Sequence, residues 1–191
     1  MWYSGNFLSL IATPISFPLY KIFNNLFEIG HFPEIWKIAH ICPIWKHNGL
    51  KSEKSNYRPI SLLPTLSKIC ESVIHRRLLG HFTENNIISD RQAAYMKGVS
   101  TIKQLLYIIH LIRLSWTKNL ITQSVLLDDL SAFDKCWHLG LLAKLEQNKV
   151  EGISLEFFKS YLTDRKQMVV VENCKSNEMD VKAGIPQGSR L

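Results

Sequence analysis

The residues best suited to chemistry lie in SVLLDDLSAFDKCWH, residues 124–138. An apolar, β-prone run over residues 123–127 leads straight into Asp128 and Asp129. A carboxylate delivered at the end of a strand, just before a turn and a helix, is well placed to hold a divalent cation. Side chains alternate across a strand, so Asp128 and Asp129 would face opposite ways and only one could join a shared site. Two carboxylates about 4 Å apart repel by roughly 4 kcal/mol at an effective dielectric of 20, so a cluster of them needs a cation. The same pair also suits a helix N-cap, where a carboxylate accepts free backbone N–H groups. Asp134 and His138 stand four apart, the spacing of two ligands on a helix face, but no third ligand follows at useful spacing and they read as structural or capping residues. A hydrolase is excluded more simply, because GxSxG, HExxH and the P-loop glycine pattern are all absent.

The elements that must position these residues show in the apolar periodicity. A helix is expected over residues 18–28, with Leu19, Ile22, Phe23, Leu26 and Phe27 on one side, closed by Gly30 and Pro33. Residues 38–45 and 57–63 read as strands joined by a basic, Gly-bearing loop. A helix follows over about 66–82, with Ile69, Val73 and Leu78 apolar and Lys68, Glu71, Arg76 and Arg77 on its polar side. Thr101 and Gln104 fit a capping box that opens a mostly buried core helix over 102–116. Residues 123–127 read as a short strand, 137–150 and 155–162 as helices, and 166–171 with 179–183 as a hairpin turning through 173–177. Helices between strands, with hairpins at both ends, predict α+β layers rather than a doubly wound parallel sheet.

Composition sets the outer bounds. A chain of 191 residues, 46% hydrophobic, can bury one sizeable core or two small ones, and a single compact unit is the default expectation. Its 23 Lys and Arg against 16 Asp and Glu give a formal charge of +7, which favours a polyanionic partner. Cys42, Cys70, Cys136 and Cys174 form no CxxC pair and read as four buried free thiols. The apolar N-terminus lacks a basic leader and is interrupted by Pro14 and Pro18, and the 102–116 stretch carries Lys103, Gln104, His110 and Arg113. Neither a targeting signal nor a membrane span is therefore expected, and the chain reads as intracellular.

The blocks PIWK, NYRPISLLPTLSKICE, QAAYMKGVST, LLDDLSAFDKCWH, SYLTDRKQ and GIPQGS follow one another along the chain. In this order the sequence resembles the reverse transcriptases of non-LTR (LINE-like, jockey-like) retrotransposons, from about Phe32 to Gly188, with weaker agreement back to LYKIFNNLFEIG. The resemblance implies a right-hand polymerase performing RNA-directed DNA synthesis. About 1–120 would be an N-terminal extension and fingers, and about 121–191 a partial palm. Its partners would be an RNA template, a DNA primer and dNTPs, with Mg²⁺ and no small-molecule cofactor.

By the same resemblance Asp128 takes the place of the first metal-binding aspartate, and Asp129 would offer its backbone carbonyl at most. Phe133, five residues on, corresponds to the aromatic that rejects a ribose 2′-OH. Arg58 and Lys46 match the basic residues that grip the triphosphate, where a guanidinium fork and a compact ammonium complement each other. Gln187 and Gly188 match the nucleotide-contacting loop, and Gln92, Lys97 and Gly98 the block that guides the template. The family's DLSKAFD is LDDLSAFD here, which puts Asp129, Leu130 and Ser131 where Leu, Ser and Lys are expected, and QAGF is QAAYM, with Ala94 replacing a glycine.

The family's FADD or YADD hairpin and thumb lie downstream of PQG, beyond Leu191. One carboxylate cannot hold two Mg²⁺ ions, so the expectation is a polypeptide without polymerase activity as given. A remnant that retains only nucleic-acid binding, through the basic hairpin and the Arg76/Arg77 helix, and a translated fragment without function are the alternative readings.

Overall fold

The computed structural model describes residues 5–128, 132–172 and 174–191. It divides into two compact units, Met1–Gly80 with Ser131–Leu191, and His81–Leu130.

The first unit is built on a mixed five-stranded sheet. β1 (Ile38–Trp45) and β2 (Tyr57–Leu62) form the expected hairpin, antiparallel with Ile41 opposite Ser61 and Ile44 opposite Arg58. On its other side β1 pairs in parallel with β3 (Lys166–Val171), which also carries the short antiparallel strands β4 (Cys174–Lys175) and β5 (Met179–Asp180). The last hairpin is thus split in two along one strand. Ala39, Ile41 and Leu63 bury one face of this sheet.

α1 (Gly5–Leu10) and α2 (Ala12–Glu28) come first. α2 begins six residues earlier than expected and runs through Pro18 rather than starting at it. Pro14 falls in the first turn, where no N–H is required, while Pro18 costs one internal hydrogen bond. The end is as read: Gly30, at φ 64°, closes a Schellman motif in which His31 N bonds Leu26 O and Gly30 N bonds Phe27 O. Beneath α2 lies an aromatic core. The Phe32 ring meets Trp36, Phe157 and Tyr161 edge-on, and Phe27 packs on Phe157. Phe157 and Tyr161 belong to α6 (Ile153–Leu162), which follows α5 (His138–Gln147). Fully burying one such ring stabilises by roughly 1.5–3 kcal/mol. The cysteines are not uniformly buried: Cys70 is, Cys42 and Cys136 are half-buried, and Cys174 is exposed.

α3 follows the hairpin and spans Thr65–Glu84. Its buried stripe is Ser67, Cys70, Glu71 and Ile74, so Glu71 turns inward instead of lying on the polar side.

The second unit holds the last turn of α3, a loop, α4 (Thr101–Thr117) and the segment that leads to Asp128. Three expectations fail in it. The cap of α4 is Ser100, whose Oγ accepts from Lys103 N at 3.3 Å, one residue before the expected Thr101. The helix itself has no buried residue, with Ile102 67%, Leu106 60% and Trp116 68% exposed. Its apolar residues run around the whole cylinder, and within its unit no described sheet or second helix covers them. Residues 120–128 form no strand, and Leu126 and Leu127 are each 93% exposed. A strand needs a partner for its N–H and C=O groups, and none of the described strands pairs with this run. Among the described residues no helix is long and apolar enough to cross a membrane.

Candidate functional site

The site forms where residues 184–191 return across the first unit. Gly184 N bonds Cys136 O at 2.9 Å and Ile185 N bonds Phe133 O at 2.8 Å, which ties this loop to the turn that carries Phe133. His138 Nε2 lies 2.6 Å from Gly184 O, so His138 is structural, as expected. On its other flank the loop meets the free edge of β2, where Ser61 N donates to Gln187 O at 2.8 Å.

Both glycines are required by close approach. A Cβ at Gly184, φ 87°, would lie 2.7 Å from Asp134 O, and one at Gly188, φ 121°, would lie 2.9 Å from Ser61 O. The surface they approach is this chain's own backbone. Next to the loop is a cavity of about 410 Å³, lined among others by Ile41, Pro59, Asp134, Arg165 and Gln187. Gln187 Oε1 and Arg165 Nη2 are buried without a hydrogen-bond partner among the described residues. Arg165 Nη1 donates to Tyr161 O at 2.9 Å, and burial pushes its guanidinium pKa down against the charges of Tyr161 and Glu71. The geometry offers a glycine-bounded loop hydrogen-bonded on both flanks, an amide acceptor and a buried cation along one cavity wall, which is equipment for binding rather than for a nucleophile.

A match to the family model described as "Reverse transcriptase (RNA-dependent DNA polymerase)" covers residues 44–191, from PIWK to the loop just described. The chain belongs to this reverse transcriptase family. It is 36% identical over 185 residues to the probable RNA-directed DNA polymerase from transposon BS of Drosophila melanogaster, 96% of this chain and 20% of that protein. It is 34% identical to the probable RNA-directed DNA polymerase from transposon X-element of the same species, over 89% of this chain and 19% of the relative. It is 35% identical to the RNA-directed DNA polymerase from mobile element jockey, again Drosophila melanogaster, over 89% and 18%. The chain therefore spans about a fifth of the length of the curated relatives it matches.

Within this reverse transcriptase segment the predicted residues fall into two groups. Phe133 meets the start of the loop through its carbonyl, at Gly184 and Ile185, Gln187 and Gly188 meet β2 at Ser61, and Arg58 stands exposed on β2 three residues before Ser61. Lys46 lies at the end of the same hairpin, but its Nζ donates to Ser55 O at 2.7 Å and its N to Asn56 O, so it also closes the hairpin loop. Asp128, Gln92, Lys97 and Gly98 belong to the second unit, and all four are exposed. Gly98, φ 80°, presents its carbonyl to Lys103 Nζ at 2.8 Å. Asp129 lies outside the described residues. Among the described residues no three ligating His, Cys, Asp or Glu side chains converge, so they do not by themselves compose a site for a magnesium pair.

Sequence reasoning missed Glu71, Tyr161, Arg165 and Ser189, which together sit behind the loop. The signal was present in α3: Ser67, Cys70, Glu71 and Ile74 follow the i, i+3, i+4, i+7 rule, but a serine and a glutamate on that stripe read as a solvated face.

Proposed function

We propose that this chain provides nucleotide- and template-facing parts of an RNA-directed DNA polymerase of the non-LTR retrotransposon kind, with dNTPs, an RNA template and a DNA primer as its substrates. The reading rests on the bond from Ser61 N to Gln187 O, which sets the PQG loop on the strand that carries Arg58. Arg58, exposed and without an ion pair among the described residues, can take phosphate oxygens bidentately. Gln187 offers its amide to the nucleotide, Phe133 would face the sugar, and Lys46 would add a point charge from the hairpin. Gln92, Lys97 and Gly98 form a basic, glycine-bearing loop suited to a template backbone. Asp128 is one metal-facing carboxylate for Mg²⁺, not a complete site. The fingers would comprise about 1–120 and the palm part about 121–191.

Calorimetric titration with dATP tests this. Binding to the parent chain is expected, with Arg58→Ala and Gln187→Ala each weakening it about tenfold, roughly 1.4 kcal/mol. Affinity that is unchanged in both variants, with far-UV CD intact, would sink the proposal.

A further inference from the structure

Glu71 is a fully buried carboxylate, 0% exposed, in the middle of α3. Its Oε1 accepts from Ser67 Oγ at 2.8 Å, and its Oε2 accepts from Ser189 Oγ at 3.0 Å and from Arg190 N at 2.9 Å. Tyr161 Oη lies 3.0 Å from Ser189 Oγ. Ser189 Oγ also accepts from Leu191 N at 3.0 Å and lies 3.2 Å from Leu191 O. Its single proton goes to the nearer, charged acceptor Glu71, so Tyr161 donates to Ser189. The result is a relay from Tyr161 through Ser189 to the carboxylate, closed by a backbone N–H of the segment that follows the PQG loop.

Packing alone does not call for this arrangement. Burying a carboxylate costs several kcal/mol before its hydrogen bonds offset the loss, and an apolar side chain of the same volume would fill the space as well or better. What an apolar side chain cannot do is fix a polar loop in one register. Ser189 and Arg190 immediately follow Gly188, whose contact with Ser61 O leaves no room for a Cβ. Glu71 thus pins the segment at one end, the Ser61 to Gln187 bond pins its middle, and the Phe133 and Cys136 carbonyls pin its start.

We infer that Glu71 is a positioning residue for the PQG loop: through Ser189 and Arg190 its carboxylate sets where Gln187 lies along the edge of β2. The importance of that setting for nucleotide binding rests on the function proposed above; the anchor itself is a property of this chain's fold.

Amide hydrogen exchange by NMR, followed by dATP titration, tests the anchor. In Glu71→Leu, which leaves Ser189 and Arg190 N without their acceptor, the Ser61 and Arg190 amides should exchange about tenfold faster while the β1 amides hold, and dATP affinity should fall about tenfold. Glu71→Gln should rescue both readouts to within about threefold, because its carbonyl can accept from Ser189 and Arg190 while its NH₂ donates to Ser67 Oγ. Unchanged Ser61 exchange in a folded Glu71→Leu chain overturns the inference. If that variant does not fold, Ser189→Ala decides: faster Ser61 exchange supports the anchor and unchanged exchange overturns it. Faster exchange in a chain that binds no dATP in any form supports the anchor and removes only the nucleotide reading.

Discussion

At the scale of single residues, the glycines and the buried thiol give opposite lessons about what a side chain costs. Gly184 combines φ 87° with a neighbouring carbonyl 2.7 Å from where a Cβ would sit, so strain and clash add. Gly184→Ala should destabilise the chain by roughly 1–3 kcal/mol. Gly80 is helical and its Cβ would meet nothing within 4 Å, so Gly80→Ala should stabilise by roughly 0.5–1 kcal/mol. Urea unfolding of the two variants checks the pair, and equal signs would refute the geometry. Cys70 lies beside the Glu71 carboxylate in the sequence and the core. Burial first, and the Glu71 charge second, push its thiol up from 9.0 to about 12. Tyr161 moves the same way, from 10.0 to about 12, chiefly through burial and then through Glu71. Both groups keep their protons longer folded than unfolded. The stability this contributes is fully present below about pH 9 and drains away as the pH rises toward 12. The urea midpoint should therefore fall across that interval, and Cys70→Ala should flatten the lower part of the fall. A midpoint independent of pH there would contradict the burial of both groups.

At the scale of elements, legibility depended on whether the cause of an element was local. The β1–β2 hairpin was readable to within a residue because its β-branched and aromatic residues, its Gly-bearing loop and its partner all lie within 25 consecutive positions. The end of α2 was readable because Gly30 itself makes the turn. Residues 123–127 have equally good strand composition and form none, since strand propensity expresses packing against neighbours more than any backbone preference. α4 shows the same divide, its span legible from sequence and its surroundings not. The PQG loop was legible as a loop, but its support was not, because the carboxylate that holds it comes from 118 residues earlier. Pro18 provides a test at this scale. It is exposed, so its replacement removes little packing, and it deprives Pro14 O of a donor inside α2. Pro18→Ala should restore that bond and stabilise the chain by about 1–3 kcal/mol, with a higher helical CD signal. A neutral or destabilised variant would mean that the break is used in packing α2.

At the scale of the whole molecule the charge is uneven. Eighteen of the 23 basic residues and 12 of the 16 acidic ones fall in the first unit, which therefore carries +6 of the +7. The second unit, home of Gln92, Lys97 and Gly98, is near neutrality with five basic and four acidic residues. Diffuse attraction would draw a single-stranded RNA to the first unit with little regard for any one lysine, whereas a template contact at Lys97 would count as one discrete phosphate neutralised. Counterion release separates the two. If the chain neutralises about three phosphates of single-stranded RNA, log K should fall with log salt at a slope of about −2.1, close to a twentyfold loss between about 50 and 200 mM salt. Lys97→Ala should then reduce the slope by about 0.7, although it barely alters the net charge. Fluorescence anisotropy with labelled RNA reads both numbers. An unchanged slope in Lys97→Ala would leave the attraction to the first unit's charge alone and remove the second unit's loop from the template path.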